Sequence, residues 1–154
     1  MPTKTSELLT TLAATLSAAD HCPTVVRNQV LPAELTSFRD IYAFATLNDG
    51  DAQVTDRLLG TSIADGLNEI EHNAILLLAF EAADESVRDS VFDDALIAID
   101  DAIKADPTLG VSDEVDVEVT VLEQESALSN PTTGLVFRIA ELTVTMTFQS
   151  PRAF

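Results

Sequence analysis

The chain has 154 residues, 46 % of them hydrophobic, with a mean hydropathy of +0.18; it is long enough to bury a core without metal or disulfide staples and is not disordered by composition. One cysteine, Cys22, excludes an internal disulfide and a cysteine-based zinc cage. The formal charge of −18, from 26 acidic against 8 basic residues, leaves no basic stripe to neutralise phosphates, so base-specific nucleic-acid binding is not expected. Lys4 and Lys104 are its lysines, and the acids run from Glu7 to Glu141 without clustering. Such a charge repels itself in dilute buffer but is largely screened at 1 M salt, where the Debye length is about 3 Å. This is the composition of a halophile's protein. An acidic adaptor for a basic partner, or a nucleic-acid mimic, would instead gather its acids.

Residues 5–19 read as a helix with the stripe Leu8, Leu12, Leu16 widened by Leu9 and Ala13, capped by Thr5 or Ser6 and ended before Pro23. The stretch 21–40 is irregular. Ile41–Leu47 reads as a strand, closed by the tight turn Asn48-Asp49-Gly50-Asp51. Residues 48–72 are predicted as a long irregular segment with a helical turn or two around Ile63, Leu67 and Ile70. The apolar run Ala74–Phe80 predicts a strand buried on both faces. Asp84, Glu85 and Ser86 then open a helix over 87–105 with the stripe Val87, Val91, Ala95, Ile99, Ile103, stopped by Asp106-Pro107. Val115–Val121 alternates as a half-buried strand, 123–134 is a polar loop with Asn130-Pro131, and 136–149 is a long strand. Phe137 and Ile139 differ in parity from Leu142, Val144, Met146 and Phe148, which predicts a β-bulge near Ala140 or Glu141. The order α-β-β-α-β-β predicts an α+β fold in one domain over 1–154: a four-stranded, mainly antiparallel sheet packed by two helices.

Candidate chemistry is sparse. Asp89, Asp93 and Asp100 share a helix face, where a hard-cation site is conceivable, but acids along a helix read better as a solvated halophilic surface. His21-Cys22 has no surrounding catalytic motif, His72 stands at the start of a strand without a partner nucleophile, and Ser62 lacks the glycines of a nucleophile elbow. No nucleophile, base and orienter set is apparent, so neither an enzyme nor a cofactor is expected. No run reaches the ~18 apolar residues of a membrane span and no signal peptide is evident, so the protein is expected in the cytoplasm unless it leaves within a particle.

A helix ending in Ala105-Asp106-Pro107-Thr108-Leu109-Gly110 is followed by the strand Val115–Val121, a polar loop, and Ala140-Glu141-Leu142-Thr143-Val144-Thr145-Met146-Thr147-Phe148. In these features the segment Val87–Phe148 resembles the C-terminal half of phage tail-terminator and related neck or tail-completion proteins, whereas 21–72 is longer and more acidic than in that family. The resemblance implies a structural virion protein. It would form a homo-oligomeric ring, commonly six-fold, at the head-proximal end of the tail tube. Its partners would be the tail tube protein and the head connector, with DNA passing through the lumen; the salt composition implies a virus of a haloarchaeon, assembled in the host cytoplasm. The polar loop supplies the assembly-contact candidates Glu125, Ser126, Asn130, Pro131 and Thr132. The alternatives are another neck or connector ring, or a small halophilic enzyme or ligand-binding domain with a pocket around His21, Cys22 or His72.

Overall fold

The computed structural model describes residues 3–28, 36–39, 41–58, 67–111, 115–129 and 136–151. Its elements are α1 (Lys4–Ala18), β1 (Val25–Arg27), β2 (Thr36–Phe38), β3 (Ile41–Leu58), β4 (Leu67–Ala82), α2 (Glu85–Ala105), β5 (Asp116–Ser129) and β6 (Val136–Ser150). The strands make one six-stranded sheet in the order β1-β3-β4-β6-β5, with β2 also paired to β3. β1 runs parallel to β3; the other pairs are antiparallel.

Both helices cover one face of this sheet. Alternate residues of each strand point there: Ile41, Ala43, Ala45 and Leu47 on β3, Ile70 to Phe80 on β4, and Ala140 to Phe148 on β6. They form one cluster with Leu8, Leu9, Leu12 and Leu16 of α1 and Phe92, Ala95, Ile99 and Ile103 of α2. Phe80 meets Phe92 edge to face, with ring centroids 5.4 Å apart. Fully burying each such Leu, Ile or Phe contributes roughly 1.5–3 kcal/mol.

The helix caps follow from short polar side chains that satisfy free backbone N–H groups. Asp84 accepts from the N–H groups of Ser86 and Val87. At α1 the cap is Thr3, whose Oγ1 accepts from Ser6 N at 3.1 Å, rather than Thr5 or Ser6.

The sheet corrects the expected four-stranded α-β-β-α-β-β arrangement. β1 and β2 are three residues each, too short to show a period. The greater difference lies at 48–72, where β3 and β4 form one long hairpin paired from Tyr42↔Glu81 out to Leu58↔Leu67. On its β3 side Asp51 to Thr55 are exposed, although Ile70, which pairs with Val54, is buried in the core. The turn expected at Asn48–Asp51 is a β-bulge, with the register shifting between Asn48 and Asp51. Gly50 occupies it with φ +65°, and a Cβ there would stand 1.8 Å from Asn73 O, so only glycine fits. Leu67 and Ile70, expected near helical turns, belong to β4, and Ile63 lies outside the described residues. The run Ala74–Phe80 is fully buried at Ala74, Leu76, Leu78 and Phe80 on the helix-facing side; on the other face Ala79 is fully buried and Ile75 and Leu77 are half-buried.

Two further expectations change. β6 pairs continuously with β4, so no bulge falls at Ala140 or Glu141. The parity break has another cause: Arg138, not a hydrophobe, occupies the helix-facing position, and Phe137 and Ile139 lie half-buried on the opposite face. On α2 the buried stripe is Arg88, Phe92, Ala95, Ile99, Ile103, and Val87 is exposed. A pure four-residue spacing overshoots one helical turn by about 40° per step, so Val87 and Val91 rotate out of a face centred on Ile99.

Candidate functional site

Two groups of polar side chains stand out, each placed by a feature of the backbone. The first surrounds the β3 bulge. Arg27 of β1 reaches Asp49 Oδ1 at 2.6 Å and Thr10 of α1 at 3.1 Å, and Asn28 Oδ1 accepts from Asp49 N. The bulge turns the Asp49 carbonyl toward His72 Nε2, which donates to it, so Nδ1 carries no proton in the neutral ring. That Nδ1 is buried and has no hydrogen-bond partner among the described residues. Burial pushes the Asp49 carboxyl up, but the hydrogen bonds of Arg27 and Asn28 and the charges of Arg27 and His72 outweigh this and hold it below the ordinary range. The group ties α1, β1, β3 and β4 together. His72 thus lies mid-strand on the buried face rather than at the start of a strand.

The second group lies where α2 crosses β6 and β5. Arg138 stacks on the Phe92 ring, its Cζ 4.0 Å from the centroid. Its guanidinium reaches Asp89 at 3.3 Å, Asp93 at 3.8 Å and Gln124 Oε1 at 3.0 Å. Arg88, buried beside it, also holds Asp89 at 3.1 Å. In the last turn of α2, Lys104 pairs with Asp100 at 2.6 Å, and that carboxylate holds its ammonium above the ordinary range. The carboxylates considered for a hard cation therefore meet the chain's own cations. Among the described residues no three His, Cys, Asp or Glu side chains are grouped to hold a metal ion.

A shallow groove of about 520 Å³ opens between the end of α1 and the outer side of α2, lined by Ala19, Asp20, His21, Asp94, Ile97 and Asp101 among others. Cys22 and His72 do not line it. The Cys22 thiol is buried and bonded to Pro23 O, and burial pushes it up to about 12, which keeps it protonated and unreactive. The structure does not bring His21, Cys22 and His72 into one pocket.

The expected polar loop 123–134 is for the most part strand. β5 runs to Ser129 and pairs with β6 through Glu125↔Ile139, Ser126↔Arg138 and Ser129↔Val136. Glu125 and Ser126 are thus ladder positions on the outer part of the β5–β6 hairpin; Asn130, Pro131 and Thr132 lie outside the described residues. Sequence reasoning passed over Arg138 and Gln124, for which the parity break of β6 was the available signal. It also passed over the β3–β4 hairpin and the exposed edges of β3 and β5. Their exposed residues include Val54 on β3 and Val121 and Leu122 on β5. Among the described residues no helix is long and apolar enough to cross a membrane. No protein-family model matches the chain, and no curated protein matches it.

Proposed function

We propose that this chain is a structural subunit of a virus particle, forming a ring at the head-proximal end of a tail tube, where it ends tube growth and joins tail to head. The observation that carries the reading is the pair of long hairpins, β3–β4 and β5–β6, on a helix-backed sheet, with arms on which Asp51 to Thr55 of β3 and Thr120 to Gln124 of β5 are exposed. Arms of this kind suit contacts between copies, and a heterologous contact that closes makes a ring. The resemblance of 87–148 to tail-terminator and neck proteins adds to it. The turn at its centre is a built feature: Asp106 Oδ1 accepts from Gly110 N and Thr108 Oγ1, and Leu109 is buried. The net charge fits a conduit, since an acidic lumen does not retain passing DNA. Loss of the gene from its virus is expected to leave heads and tails unjoined, or tails of uncontrolled length, in electron micrographs. Normal infectious particles would reject the proposal.

The groove beside His21 favours a second reading, a small halophilic enzyme or ligand-binding domain. That reading requires His21→Ala to abolish activity in a protein that still folds and assembles.

A further inference from the structure

We infer that neighbouring copies of this chain join edge to edge, the free edge of β5 on one pairing with the outer half of β3 on the next. The inference rests on the ring reading above and names the surface that closes the ring. Among the described residues β5 pairs with β6 alone, and beyond the positions covered by β1 and β2, which end at Leu47, β3 pairs with β4 alone. Among the described residues both stretches, 51–58 and 116–129, have no strand on their outer side, which leaves edge backbone N–H and C=O groups as a ready template for another strand, whereas Asp49 N–H is already taken by Asn28 Oδ1. Proteins commonly blunt such edges with lysine or proline, and neither residue occurs in either stretch. The bulges of β5, between Val119 and Val121 and between Ser126 and Leu128, interrupt its ladder but leave regular runs at 116–119 and 121–126.

Side chains point the same way. Val54, 37 % exposed, and Leu122, 45 % exposed, project from the two edges on the helix-facing side, because they pair with the rows of Ile70 and Leu142. Val121 is exposed beside Leu122 on the opposite side. Successive antiparallel pairs from β3 through β4 and β6 leave β5 antiparallel to β3, so a sheet continued from one copy to the next makes an antiparallel junction. Because β1 and β2 occupy the edge of β3 up to Leu47, the incoming β5 must be displaced along the strands. Bringing Leu122 level with Val54 is a displacement from Leu142 to Phe148 on β6, roughly 20 Å at the rise of a strand. Strand stagger of this kind is what closing a sheet into a ring requires. Both edges carry acids, Asp51 on β3 and Asp116, Glu118 and Glu123 on β5, so the junction forms only where salt screens them.

The test is crosslinking of the full chain in a Cys22→Ser background with a flexible bismaleimide in molar salt, beside light scattering of the uncrosslinked protein. The double variant Val54→Cys, Leu122→Cys is expected to give a covalent ladder that stops at the ring size, while each single variant stays monomeric on a denaturing gel. In dilute buffer the ladder is lost. A dimer and nothing larger from Leu122→Cys alone would show β5 pairing with itself and overturn the inference. A ring by light scattering with no ladder would overturn this junction and leave the ring reading standing. Neither ring nor ladder from folded protein would overturn both.

Discussion

Gly50 shows what one residue decides. Its left-handed backbone makes the bulge that re-registers β3, presents the Asp49 carbonyl to His72 and lets the hairpin continue outward. Gly50→Ala is expected to lose at least about 1–2 kcal/mol for the left-handed conformation alone, with the contact to Asn73 O adding to it. Urea unfolding measures this; an unchanged midpoint would mean that the bulge is not as described. In the sequence Asn48-Asp49-Gly50-Asp51 is indistinguishable from a hairpin turn, since both use a glycine of positive φ. The strand continuing past it is what decides, and that strand carries no hydrophobic alternation. Cys22 gives a pH prediction. Burial raises its pKa from the ordinary thiol value of 9.0 to about 12, so the folded thiol keeps its proton where the unfolded one loses it. Its contribution to stability is therefore complete below pH 9 and falls between about 9 and 12. Cys22→Ser is expected to flatten the alkaline limb of stability against pH; an identical limb would exclude the thiol as its cause.

At the scale of elements, α2 and β6 are held by one arginine that the sequence disguised. Arg138 occupies an inward position yet keeps its charge paired, its plane stacked on Phe92 and its donors on Asp89, Asp93 and Gln124. Arg138→Ala is expected to destabilise by about 1–2 kcal/mol, through the lost stacking and charge-assisted bonds. A double-mutant cycle with Phe92→Leu should show coupling above about 0.5 kcal/mol; additive effects would mean that the two side chains are independent. Ile99→Asp, which buries an unpaired charge in the centre of α2's inner face, is expected to prevent folding, whereas Asp93→Asn, at the exposed end of the arginine group, should cost no more than about 0.5 kcal/mol. Circular dichroism separates the two, and equal losses would mean that α2 faces the other way. Both helices were legible because each buries a continuous stripe. β1, β2 and the outer part of β3 were not, since a three-residue strand has no period and Asp51 to Thr55 are exposed on both faces, so no buried stripe marks them as strand.

For the whole molecule, charge and edges act together. With 8 basic residues against 26 acids, the ion pairs at Asp49, Asp89, Asp93 and Asp100 still leave a large excess of like charge, whose unscreened repulsion weakens the fold in dilute buffer. The melting temperature is expected to rise steadily from dilute buffer to molar salt, and a flat profile would reject the halophilic reading. The net charge behind this expectation is read from composition alone. The strand edges were not legible in the same way: Glu125 and Ser126 are ladder positions of β5, and the open edges exist only once β3, β4, β5 and β6 are ordered in one sheet. The measurement that bears most directly on the central claim is the molar mass of the purified chain in molar salt, by light scattering on a sizing column, with negative-stain images of the same peak. One closed ring of fixed subunit number, falling apart as salt is removed, is expected. A folded monomer at molar salt, at the concentrations of such a column, would contradict it.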